Sequence, residues 1–123
     1  MEKIKLLVLD DKRIIGDLFE FTLGYGGHTI KCVHSAQEAL DAVQKEHFDI
    51  AFIDIVMPDK DGVAVLKELK SANANLPIVM MSGYSVLDKR EEASRSGASA
   101  CLNKPFEMDD VRRIVKDVLG KEI

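Results

Sequence analysis

Residues 50–62 read IAFIDIVMPDKDG, and this stretch decides the fold. It opens with a continuous apolar run, Ile50 to Ile53, which is typical of a short strand buried on both faces of a sheet. An acidic residue, Asp54, ends that run directly, and Asp61-Gly62 forms a turn before an amphipathic helix predicted from Gly62 to Ser71. A buried strand, an acid at its carboxyl end and a following helix make one unit of an α/β fold.

The same unit recurs on both sides of this stretch. Apolar or β-branched runs predict five strands, at Lys5 to Leu9, Thr29 to Val33, Ile50 to Ile53, Ile78 to Met81 and Ala100 to Asn103. Helical spacing and start signals predict a helix after each strand, from Arg13 to Tyr25, from the capping box Ser35 to Glu38 onward, from Gly62 to Ser71, from Val86 to Ser96 and through Val111 to Leu119. Alternating strands and helices predict a single doubly wound parallel sheet with helices on both faces, in one domain spanning residues 1–123.

Composition and charge narrow the function classes. The chain has 17 basic and 21 acidic residues, a net charge of -4, and no clustered basic stripe, so direct binding to nucleic acid is not expected. Its longest apolar runs are far shorter than the ~20 residues that span a bilayer. They are also too short for a secretory signal, so a cytoplasmic location without membrane insertion is expected. The two cysteines, Cys32 and Cys101, lack metal-site spacing, and we expect both thiols to be buried and reduced.

Polar residues gather where the predicted strands end. Ligands of an open parallel sheet bind outside the carboxyl ends of its strands, where this chain places Asp10, Asp11, Asp54, Ser82 and Lys104. Three carboxylates in one place favour a hard cation such as Mg²⁺. Together with an ammonium and a hydroxyl they suit a phosphoryl group better than a sugar, a hydride or an acyl group. His34 follows the second strand and is expected at the far edge, without a role.

These residues form an ordered set of motifs: Asp10-Asp11, Asp54-x-x-Met57-Pro58-x-x-Asp61-Gly62, Ser82-Gly83 and Lys104-Pro105-Phe106. In order, spacing and position on the strands, the set resembles the receiver domain of two-component response regulators over essentially the whole chain. The resemblance implies a flavodoxin-like fold with strand order 2-1-3-4-5. It also implies a phosphoacceptor switch rather than an enzyme.

The resemblance assigns a role to each site residue. Asp54 takes a phosphoryl group from a sensor histidine kinase or a phosphotransfer protein. Asp54 and Asp11 ligate Mg²⁺ (or Mn²⁺), Asp10 acts mainly through water, and the backbone carbonyl of Val56 completes the protein ligands. Ser82 and Lys104 contact oxygens of the bound phosphoryl group, so that a charge change on Asp54 moves the region of strands 4 and 5.

Two positions depart from the usual receiver pattern. Receivers commonly carry Tyr or Phe three residues before the lysine, where this chain has Cys101, and Tyr84 could replace or block the aromatic motion that accompanies Ser82. Val56 and Tyr84 also flank the expected path of the hydrolytic water. A downstream protein or a missing output domain is expected to dock on the face of helix 4, strand 5 and helix 5. The implied strand order places Cys32 and Cys101 at opposite edges, about 19 Å apart, which excludes a disulfide between them.

Two other functions and one local alternative stay open on the sequence. The chain could be a phosphate-independent scaffold receiver, although Asp11, Asp54, Ser82 and Lys104 are all retained. It could be a Mg²⁺-dependent phosphatase of the haloacid dehalogenase type, but that class usually has a second Asp where this chain has Val56. Asp10-Asp11 taken alone would also suit the cap of the first helix.

Overall fold

Five strands lie side by side in one parallel sheet in the computed structural model, which describes residues 2–58, 60–83 and 87–123. The strands are β1 (Lys5–Leu9), β2 (Thr29–Val33), β3 (Ile50–Asp54), β4 (Ile78–Ser82) and β5 (Ala100–Asn103). Their order in the sheet is β2-β1-β3-β4-β5, which confirms the expected topology. Strands β3 and β4 each run one residue further than predicted, so Asp54 and Ser82 are the last residues of their strands.

The first helix differs most from its prediction. Helix α1 (Arg13–Phe19) ends earlier than expected, and residues Glu20–Gly24 continue as a π-helical segment. Within this segment the Thr22 hydroxyl donates a hydrogen bond to the Leu18 carbonyl, with an Oγ1–O distance of 2.7 Å. A side-chain hydrogen bond of this kind competes with regular α-helical bonding, which agrees with the change of helix type here.

The other helices are α2 (Ala36–Lys45), α3 (Gly62–Ala72), α4 (Leu87–Arg95) and α5 (Met108–Leu119). Capping signals are recognisable at the starts of α2, α3 and α5. Ser35 caps α2 by accepting a hydrogen bond from the Glu38 N–H, as its capping box predicts, and Asp61 caps α3. A second capping box, Glu107 with Asp110, starts α5 three residues before the predicted Val111.

Two apolar clusters fill the two faces of the sheet. On one face, β1 and β3 contribute Leu7, Leu9, Ala51 and Ile53, which pack against α2 and α3. On the other face the intervening residues Leu6, Val8, Ile50 and Phe52 pack against α1 and α5. Residues of β1 and β3 alternate between the two clusters because successive strand side chains point to opposite faces. This double coverage explains the continuous apolar runs in the sequence.

The cysteines are free, as predicted, but neither is fully buried. Cys32 lies on the edge strand β2, against α1: a Cβ atom added to Gly16 would lie 2.7 Å from the Cys32 Sγ. Burial, followed by the neighbouring Glu20 carboxylate, raises the pKa of Cys32 to about 12. Within the described ranges, no helix has the length and apolar character needed to cross a bilayer.

Candidate functional site

The predicted site residues converge at the carboxyl edge of the sheet. Asp10 follows β1 directly, Asp54 ends β3, Ser82 ends β4 and Lys104 follows β5. Strand pairing sets these positions, because Leu9 lies opposite Ile53, Asp54 opposite Met81 and Ser82 opposite Asn103. The parallel register therefore brings residues from four separate parts of the chain to one place.

An ammonium group joins two buried carboxylates at this edge. Lys104 Nζ lies 2.6 Å from Asp10 Oδ2 and 3.2 Å from Asp54 Oδ2. Asp10 is 1% exposed and Asp54 5% exposed. Like charges so close together and so far from water are costly unless a cation balances them, and Lys104 supplies one such charge.

Burial and the charge of the ion-pair partner shift the pKa of Asp54, and that of Lys104, in opposite directions. Burial raises the pKa of Asp54, the Lys104 ammonium opposes that change, and the Asp10 carboxylate adds to it, with a net rise. Burial works to lower the pKa of Lys104, but its hydrogen bond to Asp10 and the charges of both carboxylates outweigh burial, so this pKa is raised. The geometry therefore holds Lys104 charged between the two acids.

Backbone N–H groups orient the two buried carboxylates. The Val56 N–H donates to Asp54 Oδ1 at 3.1 Å, and the Lys12 N–H donates to Asp10 Oδ1 at 2.9 Å. The N-cap residue of α1 is Lys12, and its own side chain makes no cap hydrogen bond. Neither Asp10 nor Asp11 therefore occupies the N-cap position, and both carboxylates belong to the acidic cluster of the site.

Three carboxylates are arranged as potential ligands of one cation. Asp10, Asp11 and Asp54 each offer an oxygen, and these oxygens lie within 4.8 Å of one another. Hard divalent cations such as Mg²⁺ prefer oxygen ligands of this kind. Lys104 balances only part of the negative charge, so the donor set fits an additional cation.

A cavity of about 450 Å³ opens over these groups. Its lining residues are Asp11, Lys12, Asp54, Val56, Pro58, Gly83 and Lys104. This volume is ample for a phosphoryl group and a hydrated cation. A cavity of similar volume between α2 and α3 is lined by Leu40, Gln44, Lys67, Glu68, Ser71 and Ala72, and it offers a single carboxylate. The site chemistry therefore belongs to the cavity at the strand ends.

Ser82 places a buried hydroxyl group at the end of β4. The residue is 1% exposed, and its Oγ has no hydrogen-bond partner among the described residues. Its backbone carbonyl accepts a hydrogen bond from the Lys104 N–H at 2.7 Å. Buried hydroxyl groups usually have a partner, so the Ser82 Oγ is an exception within the part of the chain that the structure describes.

The loop after Asp54 is packed tightly against α3. A Cβ atom at Gly62 would lie 2.4 Å from the Ile55 carbonyl oxygen and 2.5 Å from the Asp54 carbonyl oxygen. The Gly62 N–H donates to the same Ile55 carbonyl at 2.8 Å. Glycine is thus required for the close approach that holds the end of β3 in place.

The remaining predicted residues have different outcomes. Val56 lies in the loop after β3, lines the cavity and is 58% exposed. Cys101 lies opposite Met80 in the sheet and packs, half-buried, against the cluster on the α2 and α3 side. Tyr84 lies outside the described residues.

His34 contacts the site, contrary to the expectation that it adds nothing. Its Nδ1 lies 3.0 Å from the Asp10 carbonyl oxygen. One feature of the sequence could have indicated this contact: His34 follows a predicted strand and so belongs to the same edge of the sheet as the acids. The contact itself depends on how far the end of β2 reaches toward β1.

The comparisons with known proteins agree on one family. Residues 6–116 match the family model described as the response regulator receiver domain. The sporulation initiation phosphotransferase F of Bacillus subtilis is 32% identical over 115 residues, which cover 94% of this chain and 93% of that protein. The transcriptional regulatory protein ZraR of Escherichia coli is 30% identical over 97% of this chain, but the match covers 27% of that protein.

Solved structures agree with the sequence relatives. A CheY-like response regulator receiver domain protein from Methanospirillum hungatei has a TM-score of 0.90 at 26% identity, covering 97% of this chain and 95% of that chain. NtrX from Brucella abortus has a TM-score of 0.89 at 31% identity, covering 97% of this chain and 27% of that one. Several relatives are therefore about four times as long as the matched segment. Neither the scaffold nor the phosphatase alternative is favoured by these matches.

Proposed function

Because this chain belongs to the response regulator receiver family, whose members accept a phosphoryl group on an aspartate in two-component signalling, we propose that its acceptor is Asp54. One observation carries the assignment. Asp54 combines two properties that neither Asp10 nor Asp11 combines within the described residues: it lines the cavity and it contacts the Lys104 ammonium. It also lies within ligand distance of the other two acids. The proposed unit is a single receiver domain over residues 1–123 that acts as a switch and not as an enzyme on other substrates.

The geometry suits nucleophilic attack by Asp54 on a phosphohistidine. A carboxylate oxygen of Asp54 forms a bond to phosphorus, the phosphorus–nitrogen bond of the donor breaks, and its electron pair stays on the donor imidazole. Lys104 offsets the repulsion between the carboxylate and the anionic phosphoryl group. Because Val56 N–H and Lys104 Nζ contact different oxygens of Asp54, the carboxylate is held in one orientation before attack.

The acidic cluster is proposed to hold the divalent cation that receiver domains bind. Asp11 and Asp54 would be direct ligands, Asp10 would act mainly through water, and the Val56 carbonyl would complete the protein ligands of Mg²⁺ or Mn²⁺. A bound cation would supply charge neutralisation at the phosphoryl oxygens. The mutual approach of the three carboxylates within 4.8 Å supports this assignment.

Phosphorylation is proposed to act through Ser82. Its buried Oγ lacks a partner within the described ranges, and a new acceptor oxygen on Asp54 would provide one. The Lys104 N–H to Ser82 carbonyl hydrogen bond links that movement to the end of β5, where Cys101 replaces the usual aromatic residue. The resulting change would reach the face formed by α4, β5 and α5, where a downstream protein or an output domain would dock, with Tyr84 and Cys101 modulating it.

Intact-mass spectrometry after incubation with acetyl phosphate tests the acceptor. With Mg²⁺ the wild-type protein should gain one phosphate, and the adduct should be absent with EDTA or in Asp54→Asn. Asp109→Asn is the matched control, because its side chain is 82% exposed on α5, and it should be phosphorylated like the wild type. An adduct of equal yield in Asp54→Asn would place the acceptor elsewhere.

A further inference from the structure

His34 is fixed by the elements on both sides of it. It follows the last residue of β2, Val33, which pairs with Leu9 of β1, and it precedes Ser35, which caps α2. These two constraints set the backbone of His34 at the carboxyl edge of the sheet. The ring is half-buried and reaches sideways to β1, where its Nδ1 meets the Asp10 carbonyl oxygen at 3.0 Å.

This contact fixes the tautomer and the backbone of Asp10 together. A carbonyl oxygen only accepts hydrogen bonds, so the His34 Nδ1 must carry the proton. The Asp10 N–H in turn donates to the Val33 carbonyl at 3.3 Å. Two consecutive residues, Val33 and His34, thus hold the N–H and the carbonyl group of Asp10.

The Asp10 carbonyl belongs to the peptide unit that joins Asp10 to Asp11. Asp11 is exposed, and among the described residues no hydrogen bond or ion pair restrains its carboxylate. The restraint on Asp11 therefore comes from the backbone that precedes it, which sets the position of its Cβ atom. Rotation of the Asp10–Asp11 peptide would move the Asp11 oxygen away from those of Asp10 and Asp54.

We infer that His34 is a positioning residue, which holds the Asp10–Asp11 peptide so that the Asp11 carboxylate stays within cation-binding distance of Asp54. The inference rests on the proposed cation site and adds to it the residue that follows β2. Hydrogen bonds to groups behind metal ligands typically change metal affinity by about 10- to 100-fold. Because this bond reaches the peptide and not the ligating oxygen, the lower end, about tenfold, is expected here.

Three substitutions separate this role from simple packing. Asn places its amide nitrogen at the same distance along the side chain as the His Nδ1, whereas Gln places it one bond further, at the level of Nε2. His34→Asn should therefore keep the hydrogen bond to the Asp10 carbonyl, and His34→Gln and His34→Ala should lose it.

Mg²⁺ titrations of uniformly ¹⁵N-labelled protein, followed at the Asp11 and Lys12 amides, give the affinity directly. We expect about tenfold weaker binding in His34→Ala and His34→Gln, and binding within about twofold of wild type in His34→Asn. Long-range ¹H–¹⁵N spectra of the metal-free wild type should show the proton on the His34 Nδ1. Thermal unfolding in EDTA shows whether each variant is folded.

Each result has a distinct meaning. Wild-type affinity in both His34→Ala and His34→Gln, an Nε2–H tautomer, or an Asn variant as weak as the Ala variant would overturn the role of His34. If the wild type itself binds no Mg²⁺, the proposed cation site fails and the His34 inference fails with it. If the wild type binds and the variants do not differ from it, only the His34 inference fails.

Discussion

Replacing Lys104 by Met removes the ammonium from two buried acids while keeping a flexible apolar side chain in its place. Breaking a buried ion pair by removing one partner costs about 3–5 kcal/mol when both partners are fully buried. The Lys104 side chain is 20% exposed, so water and a partial rise in the pKa of Asp54 will recover some of this cost. We expect the free energy of unfolding without divalent cations to fall by about 2–3 kcal/mol.

Lys89→Met is the matched control for this prediction. Lys89 Nζ also lies 3.0 Å from a carboxylate oxygen, that of Asp61, but the two side chains are 45% and 40% exposed. Exposed pairs of this kind contribute about 0.2–1 kcal/mol. Urea unfolding in EDTA should therefore separate the two variants clearly.

A double-mutant cycle and a cation titration sharpen the test. In an Asp54→Asn background the loss of Lys104 should cost about 1 kcal/mol less, because a single buried carboxylate then lacks its partner. Added Mg²⁺ should narrow the gap between Lys104→Met and wild type, since a bound cation replaces the missing charge. Equal losses in Lys104→Met and Lys89→Met would refute the electrostatic account of the site.

Two further predictions concern residues outside the ion pairs. Gly62→Ala should lower the free energy of unfolding in urea by about 1–3 kcal/mol, because its Cβ would lie 2.4 Å from the Ile55 carbonyl oxygen. A Cβ atom at Gly83 would have no atom within 4 Å, so Gly83→Ala is the control and should cost much less. Similar losses in both variants would argue against tight packing of the loop. Burial lowers the pKa of His28 below 6.5, and its Nδ1 accepts the Ile4 N–H at 3.1 Å. The unfolded chain therefore binds this proton more readily, and stability should fall as the pH drops below about 6.5 toward the lower folded-state pKa. His28→Asn, which keeps an acceptor but does not titrate, should show a weaker fall between about pH 7 and about pH 5.5, and an unchanged slope would rule out His28 as its source.

The sequence predicts the framework of this molecule well, because the framework follows from local patterns. Continuous apolar runs mark the doubly covered strands, and the ends of those runs locate Asp54 and Ser82 to within one residue. The family motifs supply the strand order, which periodicity alone does not contain. The sheet topology confirms the predicted strands and their order, and the family match agrees with them.

What the sequence does not predict depends on contacts between distant segments. The α-helical part of α1 ends early, at Phe19, next to a hydrogen bond from the Thr22 hydroxyl to the Leu18 carbonyl. A threonine side chain can adopt several conformations, and the local sequence does not determine which of them makes this bond. The degree of burial of Cys32 and Cys101 depends on how far helices cover the edge strands. The contact of His34 with the Asp10 carbonyl requires the exact pairing of β1 with β2, which no local pattern specifies.

The hydrogen bond between Lys104 and Asp10 joins residues 94 positions apart in the chain. Lys104 follows β5 and Asp10 follows β1, so the ammonium reaches this acid only when both strands have their places in the sheet. The charge balance of the site therefore depends on the fold of nearly the whole chain and on no single segment. A chain cut before residue 104 would keep all three acids and lose the ammonium that balances two of them.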